Sequence, residues 1–197
     1  MLGASIRDRR LERHEATRTE IIDAAWDLVR EHGLAGLSLR DLARKIGMQA
    51  PSLYSYFGSK HDIYDAMFCE GWQAYLERIQ ATGEPRAVRE AFRAAARTFV
   101  DFALEDPARY QLLCQRTIPG FEPSPESYAI AVEALEMVRA RFARHGIADP
   151  ALVDLWTAMT SGLVDQQIAN DPGGRRWYRL IDDVVDMFLA HVKRRRR

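Results

Sequence analysis

Within the run PSLYSYFGSK, residues 51–60, four hydroxyl-bearing side chains lie close together at positions 52–56: Ser52, Tyr54, Ser55 and Tyr56. A hydroxyl both donates and accepts hydrogen bonds, so such a cluster suits contacts with base edges and phosphate oxygens. The run carries no acidic side chain, although a helix selected only for solubility usually carries Glu and Lys. These residue types indicate recognition by hydrogen bonds.

Two short helices joined by a tight turn are predicted to position these hydroxyls. Ser38 with Asp41 forms a capping-box-like start for the first helix, and Gly47 stands where that helix must end. Pro51 falls in the first turn of the second helix, where its missing amide hydrogen costs little. The residues predicted to face inward, from their helical spacing, are Leu39, Leu42, Ala43, Ile46, Leu53 and Phe57.

This order of helix, glycine turn and helix is how many proteins set one helix into the major groove of DNA. The alternative is an ordinary helical hairpin that binds nothing, because a serine cap, a glycine stop and an apolar stripe also occur in such hairpins. The acid-free outward face of the second helix favours DNA recognition over that alternative.

The stretch from Arg18 to about Met67 resembles the TetR family of bacterial transcriptional regulators, most specifically in the PSLYSYFGSK run. The resemblance implies a three-helix DNA-binding domain, residues 1–58, with its helix-turn-helix motif at about 38–57. It also implies a second domain, residues 59–197, for effector binding and dimerisation. About two-thirds of the chain resembles the family only in length and helical pattern.

The family pattern, carried over position by position, implies two sets of DNA contacts. The base-facing set is Gln49, Ala50, Pro51, Ser52 and Ser55. The phosphate-facing set is Ser38, Arg40, Tyr54, Tyr56 and Lys60. Relatives often carry a long polar residue at position 50, so Ala50 departs from the pattern and no operator sequence is carried over with it. Methyl packing on a thymine suits Ala50 instead.

The charge distribution agrees with a chain that meets DNA at one end. The net charge is zero overall, but residues 1–60 carry 10 basic and 8 acidic groups. Residues 61–192 carry 13 basic and 20 acidic groups, and the KRRRR tail at 193–197 is wholly basic. An acidic body with a mildly basic head is the asymmetry expected of such a regulator. The tail, and an arm of Arg7, Arg9, Arg10 and Arg13, are left open as DNA contacts or as solvated termini.

The pattern predicts an all-α fold of about nine helices, in which the helix-turn-helix domain precedes a helical bundle. Helical stripes recur from residue 15 onward without a convincing strand. Three cap-then-proline pairs, Asp106-Pro107, Ser124-Pro125 and Asp149-Pro150, mark clear helix starts. Ser59 with Asp62 is predicted to start a long fourth helix that links the head to the body.

Residues 150–192 are predicted to form a homodimer interface. A helix-turn-helix protein generally binds a two-fold (palindromic) site in double-stranded DNA, which requires a self-complementary surface. Small residues between larger ones permit a close approach of a partner helix, as the resemblance also implies. Packing within one chain remains the alternative. The interface residues predicted are Leu155, Ala158, Ser161, Gly162, Val184 and Phe188.

The middle helices are predicted to hold a pocket for a small-molecule effector of unknown identity, because ligand pockets are mostly apolar with a few placed polar groups. The predicted lining is Phe99, Phe102, Tyr110, Leu113, Tyr128, Met137, Phe142, Trp156 and Met159, with Gln111, Arg116 or Gln166 as polar anchors. Aromatic residues at helical spacing are also typical of an ordinary core, and this alternative stays open for each of them.

The sequence predicts no cofactor, metal, disulfide or membrane span. Cys69 and Cys114 are expected to be buried small hydrophobes in a reducing cytosol, with a redox-sensing role left open. No apolar run approaches the roughly 18 residues of a membrane helix, and the charged N-terminus lacks a signal peptide's apolar core. We therefore expect a cytoplasmic protein. No catalytic constellation is visible, so a helical enzyme is the remote alternative.

The mechanism expected is repression relieved by an effector, with the long helix from Ser59 acting as the lever between the pocket and the DNA-binding head. An activator, or a DNA-binding protein that senses nothing, is the alternative.

Overall fold

The computed structural model describes residues 2–83 and 85–195, with side chains from residue 9 onward, and it confirms the all-α expectation. Within these residues the chain forms nine α-helices and no strand. The helices, numbered α1 to α9, are Leu2–His32, Leu39–Lys45, Ala50–Leu53, Lys60–Ala81, Val88–Glu105, Pro107–Cys114, Pro125–Arg144, Pro150–Asn170 and Ile181–Arg195. Short 3₁₀ turns precede α2 at Leu34–Gly36 and α9 at Tyr178–Leu180.

Two compact units make up the chain. The first comprises residues 1–71 and 111–127, and the second comprises residues 72–110 and 128–197. The first unit thus contains the predicted head, residues 1–58, together with the start of α4 and a segment from the middle of the chain. Helix α4 contributes its first half to one unit and its second half to the other.

The core of the first unit is built from the apolar stripes of its helices. Ile21, Ala25 and Val29 of α1 are buried, as their spacing predicts. Leu42 of α2 and Leu53 of α3 are buried as well. The inward-facing residues of α4 complete this core, and they are Ile63, Tyr64, Met67 and Phe68.

Helix α1 is longer than the sequence predicts. Its apolar stripe begins at Ile21, yet the helix begins at Leu2 and ends at His32, just before Gly33. Residues 7–20 carry charges of both signs and contain no proline or glycine, so a charged helix can extend beyond the buried stripe. The residues predicted as a basic arm therefore belong to a helix.

The core of the second unit is an aromatic cluster from four helices. Phe92, Phe142, Trp156 and Phe188 lie with ring centroids 4.4 to 6.1 Å apart, a spacing at which aromatic rings attract one another. Helix α5 packs against α8 and α9, and these two also contact each other. Ion pairs support the packing, including Arg89 with Asp186, whose carboxyl pKa is lowered by that guanidinium.

The three cap-then-proline helix starts are confirmed. The Asp106 carboxylate accepts from the backbone N–H of Arg109 at 3.1 Å, and Asp149 accepts from Ala151 at 3.0 Å. The Ser124 hydroxyl accepts from the Ser127 amide at 3.1 Å. In the described part of the chain, no helix combines the length and apolar character needed to span a lipid bilayer.

Candidate DNA-binding surface and ligand cavity

Local capping sets the position and length of helix α2. The Ser38 hydroxyl accepts from the backbone N–H of Asp41, which satisfies one of the unpaired amides at the helix start. Gly47 adopts a positive φ of 68° at the helix end. The Gly47 amide donates to the Arg44 carbonyl and the Met48 amide donates to the Ala43 carbonyl, the pattern of a Schellman stop. The predicted cap, stop and tight turn are all present.

Helix α3 is a single turn, Ala50–Leu53, followed by a turn through Tyr56. Pro51 lies in its first turn, as the sequence predicts. Leu53 and Phe57 are buried, which fixes the side of the helix that faces the protein. On the other side Tyr54 is 58% exposed. The other exposed members of the predicted contact set are Arg40, Gln49, Pro51, Ser52 and Ser55, with Ser38, Ala50, Tyr56 and Lys60 half-buried.

Helix α1 supports the turn after α3 through two residues, Arg18 and His14, that no sequence pattern indicates. The Arg18 guanidinium donates to the backbone carbonyl of Tyr56 and lies 4.2 Å from the ring centroid of Phe57. The ring of His14 stacks on that of Tyr56 with centroids 4.7 Å apart. These contacts join residues about 40 positions apart in the sequence, so no local sequence pattern indicates them. They hold Tyr56, one of the predicted phosphate contacts, in place.

The start of helix α4 is also fixed locally. The Ser59 hydroxyl accepts from the Asp62 amide at 3.1 Å and donates to the Asp62 carboxylate at 2.7 Å. The Lys60 ammonium lies 5.4 Å from the ring centroid of Tyr64. Burial raises the pKa of Tyr64 to about 12, so its phenol stays protonated and donates to the carbonyl of Leu34. Lys60 is thereby held at a helix N-terminus, which itself attracts phosphate.

The charges beside this face are partly neutralised within the unit. Arg44 pairs with Asp41 on the same helix, and Lys45 pairs with Asp27 of α1 at 3.2 Å. Neither Arg40 nor Lys60 forms an ion pair with a carboxylate among the described residues, so these two cations are available to an anionic ligand. The surface therefore combines neutral hydroxyl groups with a small number of cations, as its composition predicts.

A separate feature, the apolar cavity, lies in the second unit. Its volume is about 120 Å³, well above the roughly 10–15 Å³ that one water requires. Most of its walls are aromatic or aliphatic. The lining residues are Trp72, Tyr75, Ile79, Ala95, Thr98, Phe99, Ala131, Ala134, Leu135, Val138, Arg141, Phe142, Trp156, Thr157 and Thr160.

Of the nine predicted pocket residues, Phe99, Phe142 and Trp156 line the apolar cavity. The other six lie elsewhere. Phe102 and Tyr110 are buried, and Tyr110 donates to Asp165 at 2.9 Å. Met137 and Met159 are half-buried outside the lining, and Tyr128 is exposed at the start of α7.

Leu113 belongs to the first unit, as do the proposed polar anchors Gln111 and Arg116. The third proposed anchor, Gln166, is exposed and accepts a hydrogen bond from Asn170 at 2.8 Å. Helical spacing alone did not indicate Arg141, the charged residue that does line the cavity.

The predicted dimer residues divide between surface and core. Leu155 and Ala158 are exposed on α8, and a Cβ added at Gly162 would meet no atom within 4 Å. Ser161 and Val184 are half-buried. Phe188, in contrast, is 0% exposed in the aromatic cluster of its own chain, so its side chain is not available to a second copy. The neighbouring residue of α9, Met187, lies at the surface and is 64% exposed.

The described basic residues near the two ends of the chain lie on α1 and α9. Arg9, Arg10 and Arg13 are exposed on α1, whereas the side chain of Arg7 lies outside the described residues. The KRRRR tail continues α9 through Arg195, and its last two residues also lie outside the described part of the chain. The two cysteines are expected to be buried, but Cys69 is only half-buried and Cys114, the last residue of α6, is exposed.

Family models match both parts of the chain. The model described as bacterial regulatory proteins, tetR family, matches residues 21–67, which include the helix-turn-helix. The model described as tetracyclin repressor-like, C-terminal domain, matches residues 92–192, just over half of the chain. The chain therefore belongs to the TetR family, a family of transcriptional regulators rather than enzymes.

Individual relatives agree with this assignment. The HTH-type transcriptional regulator Mb1846 of Mycobacterium bovis is 25% identical over 124 residues, covering 61% of this chain and 53% of the relative. The tetracycline repressor protein class A from transposon 1721 of Escherichia coli is 29% identical over 161 residues, covering 79% of this chain and 69% of the repressor. The chain spans about half the length of the first curated relatives that it matches.

The fold recurs in solved structures. The transcriptional regulator FadR from Bacillus subtilis, crystallised in complex with stearoyl-CoA, aligns with a TM-score of 0.64 at 17% identity. The alignment covers 86% of this chain and 96% of that chain.

Proposed function

We propose that this chain acts as a homodimeric transcriptional repressor that binds a two-fold DNA operator through α3 and releases it when a small molecule occupies the apolar cavity. The observation that carries the proposal is the acid-free face of α3, which is turned outward because Leu53 and Phe57 are buried on the opposite side. The preceding helix α2, capped at Ser38 and stopped at Gly47, leads into α3 through the tight turn. The relationship to a tetracycline repressor supports repression over activation.

The DNA contacts proposed are those of the predicted set, in two roles. Gln49, Ser52 and Ser55 meet base edges, with Ala50 and Pro51 packing on methyl groups. The phosphates are met by Ser38, Arg40, Tyr54, Tyr56 and Lys60. Because neutral groups dominate these contacts, we expect the DNA affinity to fall less steeply with salt concentration than it does for a strongly basic DNA-binding head.

Tyr54→Phe removes one phosphate contact and is expected to weaken binding to the operator and to random DNA by the same factor. Ser52→Ala removes a base contact and is expected to change the ranking of operator variants by about 1 kcal/mol, with little effect on random DNA. Fluorescence anisotropy with operator and random duplexes measures both. If both variants bind every duplex as the parent does, α3 is not the recognition helix.

Dimerisation is proposed to use the exposed face of α8 and α9. Leu155 of α8 is 37% exposed, as is Leu180 just before α9, and Met187 of α9 is more exposed still. The open space beside Gly162 permits a partner helix to approach its backbone. Such a face, repeated by two-fold symmetry, forms a four-helix bundle.

Met187→Arg is expected to convert the dimer to a monomer, because it places a charge in the apolar centre of the proposed interface, while the fold of one chain is retained. Sedimentation equilibrium measures the association constant. Val132→Arg, at an exposed apolar position of α7, is the matched control and is expected to leave the dimer intact. An unchanged association constant for Met187→Arg would place the interface elsewhere.

Effector release is proposed to act through α4. The second half of this helix supplies Trp72, Tyr75 and Ile79 to the cavity wall, and its first residue, Lys60, belongs to the DNA-contact set. A ligand that favours one position of α4 therefore biases the DNA-binding unit. Couplings of this type are typically about 1–3 kcal/mol, or about 5- to 150-fold in DNA affinity. The stearoyl-CoA complex of a regulator with the same fold supports a ligand-binding role.

A thermal-shift screen tests the release step. Compounds that raise the melting temperature are tested for release of bound DNA, since a ligand that binds the folded state must stabilise it. We expect the compounds that stabilise the parent chain to lower its DNA affinity. The proposal fails if tight cavity ligands leave DNA affinity unchanged.

A further inference from the structure

Arg141 sets the electrostatic character of the apolar cavity. Of the described residues that line the cavity, it is the one with a charged side chain, and no carboxylate lines the walls with it. The other polar lining groups include three threonine hydroxyls. A charge at the wall of an apolar cavity acts through a low dielectric, so it attracts an anion and repels a cation more strongly than it would in water.

The backbone holds the guanidinium of Arg141 in place while part of it stays available. Its Nη2 donates to the carbonyl oxygens of Ile79 and Thr82, at the C-terminal end of α4, the second at 3.1 Å. A guanidinium carries five N–H donors, and those on Nη1 and Nε have no hydrogen-bond partner among the described residues. The carbonyl groups orient the cation, and no described carboxylate neutralises it.

The threonines cannot substitute for Arg141 as donors to an acid. Thr98 donates to the Ala94 carbonyl at 2.8 Å, and Thr157 and Thr160 donate to carbonyls of their own helix at 3.0 Å. A hydroxyl has a single hydrogen, so these three are already committed. The remaining lining donors, the Trp72 indole N–H and the Tyr75 hydroxyl, are neutral, so Arg141 is the lining residue that can give an acidic group a charge-assisted hydrogen bond.

We infer that the cavity takes a small apolar carboxylate, whose hydrocarbon body packs on Phe99, Phe142 and Trp156 while its acid group accepts hydrogen bonds from Arg141. This names the class of effector for the repressor proposed above and rests on that proposal. The cavity volume of about 120 Å³ is well above the roughly 10–15 Å³ that a single water requires, so the cavity has room for a small organic ligand. Charge complementarity favours the anion over its neutral and cationic analogues.

Three compounds with one hydrocarbon body test the inference: 3-phenylpropanoate, 3-phenylpropanamide and 3-phenylpropan-1-amine. Calorimetry on the full chain without DNA is expected to show the carboxylate binding about tenfold or more tighter than the amide, because charge-assisted hydrogen bonds are stronger than neutral ones. The amine is expected to bind weakest. Equal or tighter binding of the amide or amine, or no binding of the carboxylate at millimolar concentration, overturns the inference.

Variants at position 141 separate the acid contact from a structural role. Arg141→Gln is expected to bind the carboxylate and the amide equally, whereas Arg141→Lys keeps a preference for the carboxylate. An undiminished carboxylate preference in a folded Arg141→Gln chain contradicts the assignment. If Arg141→Gln does not fold, the binding of the three compounds to the parent chain still tests the inference.

The same compounds distinguish this inference from the proposed function. A carboxylate that binds as expected but does not release DNA supports the ligand class and contradicts effector release. If a different compound releases DNA while 3-phenylpropanoate does not bind, effector release is supported and the carboxylate ligand class is contradicted.

Discussion

Phe188→Ala is expected to lower the free energy of unfolding by about 3–5 kcal/mol, because it removes a fully buried ring and leaves a cavity in the aromatic cluster. The Phe188 ring centroid lies 5.1 Å from that of Trp156 and 5.4 Å from that of Phe92, so three helices lose contacts at once. Urea unfolding at a fixed protein concentration measures the change, since the proposed dimerisation would make stability concentration-dependent.

The matched control for Phe188→Ala is Tyr128→Ala, which removes an aromatic side chain from an exposed position. Tyr128 is 55% exposed, and we expect its loss to cost less than about 1 kcal/mol. Equal effects of the two substitutions would contradict the position of Phe188 in the core and would reopen its assignment to a surface between chains.

Ser52→Glu is expected to reduce DNA affinity about 100-fold or more while leaving the fold intact. It places a carboxylate on the exposed face of α3, where like-charge juxtaposition with phosphates costs several kcal/mol. An acid in the first turn of a helix is itself neutral or favourable for folding. Anisotropy with operator DNA measures the affinity, and circular dichroism checks the helix content.

Gln73→Glu is the control for charge in the Ser52→Glu experiment. It changes net charge by the same amount at an exposed position of α4 outside the predicted contact set. We expect it to alter DNA affinity by less than about threefold, because exposed charges separated by more than a Debye length are largely screened. If both substitutions reduce affinity equally, the effect comes from net charge and α3 has no special role.

The sequence predicted those features that depend on neighbouring residues. Ser38, Gly47 and Ser59 act within three or four positions of themselves, so the helix starts, the stop and the outward face of α3 followed from residue type and spacing. The three cap-then-proline starts were predictable for the same reason. The all-α fold then followed from the sum of local signals.

Features that depend on long-range packing were not predictable from spacing. The contact of Arg18 with Tyr56 joins residues 38 positions apart, and nothing near either residue indicates it. Helical periodicity placed Phe188 on an apolar stripe but could not say whether the stripe faces its own chain or a second one. Likewise, aromatic spacing found Phe99 and Trp156 but not Arg141, whose position is set by carbonyls about 60 residues earlier.

The most direct test of a DNA-reading dimer is one anisotropy titration, using a duplex selected by this chain from a random library and a shuffled duplex of equal length. At about 0.15 M salt we expect two chains per selected duplex, two-fold related half-sites, and a preference of about 10³-fold or more over the shuffled duplex. Equal affinity for the two duplexes, or saturation at one chain per duplex, would contradict the account.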